Sequence, residues 1–166
     1  MEKFTKIQQS YKPLKKKQKK TNLLKENQQN DYKRLVEQER TEVSKFLSKL
    51  FESREMAHIY HLQVKGDEGS YAEHKALQEY YENIVDLVDD VIEVYQGQYG
   101  IVEGYEIIDT ETTTQNMSSL DYFLSLGNTI MQDKFCIDQR DTHIHGLIDD
   151  IVTLVYKTIY KLKFNK

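Results

Sequence analysis

With 166 residues the chain can bury the core of one domain, and its single proline and seven glycines are too few turn formers for a many-stranded sandwich or barrel, so helix leads. Charged residues make up 30 % of it, no apolar run approaches the roughly 18 residues that cross a bilayer, and Met1 to Lys20 lacks the apolar stretch of a signal peptide; the expectation is a soluble, cytoplasmic protein with no membrane partner. Cys136 is the only cysteine, which excludes an internal disulfide and a cysteine-based zinc site, and it reads as a small apolar helix residue.

The net charge of −4 conceals opposite halves. Residues 1–20 hold Lys3, Lys6, Lys12, Lys15, Lys16, Lys17, Lys19 and Lys20 against Glu2, a sum of +7, which leaves −11 for the remainder. This segment, polar and interrupted by Pro13, reads as a flexible lysine-rich arm on an acidic body. Residues 21–40 form a weakly helical lead-in, with Leu23, Leu24, Leu35 and Val36 as sparse apolar points.

Residues 41–166 carry the bundle pattern. Phe46, Leu50, Ser53, Ala57 and His61 recur at steps of four, three, four and four, which predicts a helix ending near Lys65-Gly66 with Gly66 in the left-handed C-terminal position. Asp67-Glu68-Gly69 is a turn, and Ser70 with Glu73 reads as a capping box opening a second helix. Along that helix Tyr71, His74, Gln78, Tyr81, Val85, Val88 and Ile92 keep the period until Gly97 or Gly100. Residues 101–117, with the polar run from Asp109 to Asn116, form a long connection. A third helix is expected from about Ser118 to Phe135 on Leu120, Phe123, Leu124, Ile130 and Met131. A fourth spans about Asp141 to Leu162 on Ile144, Ile148, Ile151, Val152, Val155 and Ile159. The fold class is all-α: a ferritin-like four-helix bundle with a long crossover between helices 2 and 3, the runner-up being an up-down bundle with a short connection.

His61, then His74, Asp89 and Glu93, are the residues that suit chemistry, since imidazole and carboxylate bind iron, manganese or zinc. His74 and Asp89 lie about 22 Å apart along a helix, yet their directions differ by only about 60°, and those of Asp89 and Glu93 by about 40°. One chain thus offers a histidine pair at one end of a face and a carboxylate pair at the other. An antiparallel two-fold dimer of second helices would bring the two halves together in two equivalent sites, provided that all four residues bind metal.

The stretch His61-Leu-Gln-Val-Lys-Gly66, a turn, Tyr71-Ala-Glu-His74, then Val88-Asp89-Asp90-Val-Ile-Glu93 and Gly97 resembles the ferroxidase segment of the Dps family, which protects bacterial DNA during starvation. The match covers about 40 residues, 61–100, and the wording of Ser70 to Leu77 and Glu93 to Gly100 resembles still more closely an uncharacterised Dps-like family encoded by tailed bacteriophages. The resemblance implies iron sites between two-fold-related subunits with His61, His74, Asp89 and Glu93 as ligands, zinc or manganese being the other candidate metals. It also implies a homo-oligomer up to a dodecamer, a candidate ferroxidase using peroxide or oxygen, and DNA binding through a lysine-rich extension. The setting it implies is the cytoplasm of a bacterial or phage-infected cell, with virion association as the variant. Three departures stand out. Gln78, a neutral and weaker ligand, replaces the carboxylate usual four residues after the second histidine; Leu62 replaces the tryptophan common beside the first; and the turn is about one residue longer. A non-enzymatic phage structural or host-interaction protein on the same scaffold is the alternative function.

Other features carry blander readings. Lys12, Lys15, Lys16, Lys17, Lys19 and Lys20 suit sequence-independent, salt-sensitive contacts to DNA phosphates, or else solubilise the chain, or bind RNA, another virion protein or the acidic body. Glu55-x-x-His58 has no second copy downstream and reads as exposed helix residues. His143 and His145 point about 200° apart on a helix, so Asp141 or Thr142 as a helix cap is the better reading there. The twelve tyrosines read as packing and interface residues. No phosphate loop, Ser-His-Asp arrangement or nucleophilic cysteine context supports a hydrolase or kinase.

Overall fold

The computed structural model describes residues 2–66, 70–106 and 117–165, with the side chains of 23–66, 71–106 and 117–165. Among them it is all-helical: α1 (Glu2–Gln63), α2 (Ser70–Tyr99), α3 (Ser119–Asp133), a 3-10 turn (Lys134–Cys136) and α4 (Thr142–Phe164). No helix among the described residues is long and apolar enough to cross a membrane. Residues 1–40 and 41–166 form two separate compact units.

In the first unit the flexible arm expected over 1–20 lies within α1 from Glu2 onward. Lysine, glutamine, glutamate and leucine are all good helix formers, so a segment with no core of its own still has the local preference for helix. The arm's lysine side chains and the turn 67–69 lie outside the described residues, as does the polar run 109–116. From Leu23 to Arg40 the side chains are exposed apart from a half-buried Val36, as the sparse apolar points of the lead-in require.

In the second unit, contacts far apart in sequence give the helix directions. Ser53 meets Tyr80 and His61 meets His74, so α1 and α2 run antiparallel. Lys161 pairs with Glu79 and Gln98 with His143, which sets α2 antiparallel to α4. Lys134 pairs with Asp149 at 2.8 Å while Gly127 faces Val155, so α3 and α4 are antiparallel too. Phe46, Leu47, Leu50, Leu77, Tyr80, Ile84, Phe123, Ile144, Ile148 and Ile151 bury fully between the helices, each large aliphatic side chain contributing about 1.5–3 kcal/mol over its exposed state.

The helix ends show where local chemistry acts. Ser118 caps α3, its hydroxyl accepting from the Asp121 amide at 3.1 Å. α2 runs through Gly97 and stops at Gly100, whose φ of +90° suits a residue without Cβ and whose amide donates to the Gln96 carbonyl. α1 stops at Gln63, and Gly66 has no positive φ, against expectation. The Ser70 side chain, and with it the capping box expected with Glu73, lies outside the described residues; Glu73 accepts from Ser119 Oγ at 2.5 Å, a tertiary bond to α3.

Asp141 occupies the N-cap position of α4, but its carboxylate makes no cap bond. It accepts instead from the Tyr99 hydroxyl and from Gln98 Nε2 at 2.8 Å, tying the end of α2 to the start of α4. The Tyr99 bond first, then Gln98, hold this carboxyl below the usual carboxylate range. A depressed folded-state value means the bond stabilises above the unfolded value near 4 and that this stability is lost as pH falls below it. Asp138, pushed down to about 2 by Arg140, acts with the same sign over the same interval. Asp141→Asn is therefore expected to flatten the fall of the urea midpoint between pH 5 and pH 2, leaving the Asp138 part; an unchanged slope would refute the role given to Asp141.

Candidate metal centre

His61 sits in the last turn of α1 and His74 lies four residues into α2, and the two rings come together where these antiparallel helices meet. They stack with centroids 3.7 Å apart and planes inclined by 27°. Each Nδ1 faces the other residue's carbonyl, His61 Nδ1 to His74 O at 3.0 Å and His74 Nδ1 to His61 O at 3.3 Å. A carbonyl oxygen only accepts, so both Nδ1 atoms carry hydrogen and donate. The last four carbonyls of a helix lack partners inside it, and His74 supplies one to His61. In the neutral rings the lone pair then lies on both Nε2 atoms, the arrangement in which a second hydrogen bond orients a metal-binding imidazole.

The surroundings add a phenol and a third imidazole. Tyr81 lies edge-on to His61 at 5.2 Å and tilted against His58 at 4.7 Å, while His58 and His61 are 6.2 Å apart. His58 was expected as an exposed helix residue; it is half-buried in this cluster instead. The signal was its i, i+3 spacing from His61, which puts two imidazoles on neighbouring positions of one helix face.

The other candidates stand apart from the pair. Gln78 is half-buried, its Oε1 accepting from Lys75 Nζ at 2.7 Å and its Nε2 donating to Glu82 at 2.8 Å. Asp89 and Glu93 are exposed farther along α2, about 22 Å from His74 by helical rise for Asp89. Among the described residues no three His, Cys, Asp or Glu side chains are gathered as a metal-binding group. His143 Nε2 faces Gln98 and His145 Nε2 faces the Asp138 carbonyl, so these two rings serve different partners. Burial and the charge of Asp133 push the Cys136 thiol up to about 12, which suits a packing role.

No curated protein and no solved structure matches the chain. A protein-family model does match residues 61–162, most of the second unit and all of the histidine pair. The chain belongs to the family of unknown function DUF5856.

Proposed function

We propose that the protein is a Dps-like member of the ferritin superfamily that binds Fe²⁺ between two-fold-related subunits and oxidises it, and that its lysine-rich leader holds DNA. The observation that carries this reading is the reciprocal bonding of His61 and His74, which occupies both Nδ1 atoms and leaves both Nε2 atoms with a lone pair for a cation. Support for the crossover bundle comes from the connection after α2: the Glu106 amide donates to Ser48 Oγ, Tyr105 packs on Phe51, and the Met117 carbonyl accepts from Tyr60. The described ends of the connection thus lie against α1 at Ser48, Phe51 and Tyr60, and α3 begins beside the start of α2 at Glu73.

Support for a shared site comes from the exposed face of α2. Tyr71, His74, Gln78, Val85, Asp89 and Glu93 lie on it, and Tyr71 and Val85 are 75 % and 41 % exposed. One antiparallel register, with the axis beside residues 83 and 84, sets His74 across from Glu93 of the partner subunit and Gln78 across from Asp89 of the partner subunit. Two neutral imidazoles and two carboxylates suit ferrous iron, with zinc or manganese able to occupy the same donors. Two ferrous ions, each giving one electron, reduce one peroxide to two waters with two protons from solvent. Anaerobic Fe²⁺ titration followed by peroxide tests this: His74→Ala combined with Asp89→Ala is expected to abolish uptake and oxidation, and unchanged uptake would reject the site.

For the leader, deleting residues 1–20 is expected to abolish DNA retention at low salt, since it removes eight lysines of the one strongly basic segment. Retention that survives the deletion would place DNA binding elsewhere or nowhere. A second reading, a non-enzymatic phage structural or host-interaction scaffold, is favoured by Gln78: its amide is neutral and both its ends are already bonded along α2. Native mass and metal content of protein purified without added metal separate the two, because a twelve-subunit, iron-filled shell contradicts the scaffold.

A further inference from the structure

The end of α4 carries a charge and ring pattern that neither the histidine pair nor the leader uses. Residues 151–166 hold Lys157, Lys161, Lys163 and Lys166 and no carboxylate side chain, so a body whose residues 21–150 sum to −15 ends in a segment of +4. Lysines in a last helical turn complement the helix dipole, which accounts for Lys161 and Lys163 but not for Lys157, about two turns before the end. Nor does it account for Tyr156, Tyr160 and Phe164, which recur about one turn apart and are 50 %, 59 % and 62 % exposed.

The three rings form one stripe. Tyr156 rests the tip of its ring on α3 at Gly127, where a methyl group would meet its Cζ at 3.7 Å. Tyr160 and Phe164 lean together with centroids 5.3 Å apart and planes inclined by 46°. Lys163 reaches over the Phe164 ring at 5.3 Å, Lys157 is exposed next to Tyr156, and Lys161 is paired with Glu79 of α2. A groove of about 390 Å³ follows the stripe, lined by Val152, Thr153, Tyr156, Lys157, Tyr160 and Lys161. Exposed ring faces beside ammonium groups suit a ligand that is anionic along its length and presents a flat ring at each repeat. We propose that this stripe is a docking platform for single-stranded nucleic acid, with bases stacked on Tyr156 and Tyr160 and phosphates met by Lys157 and Lys163. A duplex keeps its bases stacked inside and offers these rings nothing, so duplex DNA stays with the leader. An anionic membrane fits less well, because a flat surface meets the acidic body too, whereas a single strand follows a stripe one helix wide.

Anisotropy of a labelled thymidylate 15-mer mixed with the full-length protein tests this at about 0.3 M salt, where purely ionic contacts of the leader are strongly weakened. Tyr160→Leu is expected to bind the strand about tenfold more weakly and Tyr160→Phe as well as the unaltered protein, since stacking needs the ring and not the hydroxyl. Lys157→Gln is expected to reduce the slope of log affinity against log salt by about 0.7, the share of one phosphate. Absence of strand binding overturns the proposal, as does full affinity in Tyr160→Leu or an equal loss in Tyr160→Phe. Binding to vesicles of anionic phospholipid that Tyr160→Leu abolishes, with strand binding untouched, would give the stripe to a membrane instead.

Discussion

Refolding His74→Ala and Asp89→Ala chains together is expected to restore metal uptake to about a quarter of the original sites, although each variant alone binds none. In a two-fold dimer each site draws its imidazoles from one chain and its carboxylates from the other. A mixed dimer therefore holds one site with both substitutions and one with neither. Random pairing makes about half of the dimers mixed, and half of their sites are whole. Neither substitution threatens the fold, because Asp89 is exposed, His74 is only half-buried and alanine is the best helix former. A centre built within one chain would regain nothing on mixing, and a centre unrelated to α2 would keep its uptake in each variant alone. Recovery of uptake is thus a property of the shared geometry alone, separable from the question of which metal binds or how it is oxidised.

The sequence reading succeeded where one helix face is apolar and its neighbours are not. Phe46, Leu50, Ser53, Ala57 and His61 are all buried, and so are Ile144, Ile148, Ile151, Val155 and Ile159 of the α4 series, with Val152 half-buried. On α2 the expected stripe is only partly the core. Tyr71 and Val85 are exposed and His74, Gln78 and Tyr81 half-buried, whereas Val88 and Ile92 are buried together with Leu77, Tyr80, Ile84, Val91 and Tyr95. Aromatic and aliphatic residues occupy two adjoining stripes of this helix, so periodicity fixes its helical state without saying which stripe faces inward. That ambiguity has a physical origin if the second stripe is itself an interface, as the shared-site reading requires. The stacking of His61 on His74 was beyond periodicity, because it depends on how the chain turns between α1 and α2. The tertiary bonds of Glu73 and Asp141 escaped for a related reason: a carboxylate near a helix start can serve a cap, a neighbouring helix or both, and only packing decides, as it does for Asp141, which makes no cap bond.

Ser53→Ala is expected to cost about 1–3 kcal/mol of stability, and most of that loss should vanish when Tyr80 is already phenylalanine. Tyr80 is fully buried, edge-on to Phe123 of α3 at 4.7 Å, with its hydroxyl 2.8 Å from Ser53 Oγ on α1. The Ser53 hydroxyl donates to the Leu50 carbonyl at 2.7 Å, so its only hydrogen is committed and Tyr80 must be the donor across the helix pair. Burial raises the Tyr80 phenol well above its ordinary value, which keeps it protonated and able to donate. Removing Ser53 leaves that O–H with no acceptor in a dry core, the costly half of a broken bond. Tyr80→Phe removes the donor instead and leaves Ser53 bonded to Leu50, a loss of about 0.5–1.5 kcal/mol. The double variant should therefore resemble Tyr80→Phe alone, less destabilised than the two single losses added together. Tyr80→Ala goes further, opening a cavity against Phe123 at about 3–5 kcal/mol, enough to unfold a marginal domain. Urea titration of the four proteins decides it: strictly additive losses would mean that Ser53 and Tyr80 do not share this bond, and that α1, α2 and α3 meet there through apolar contact alone.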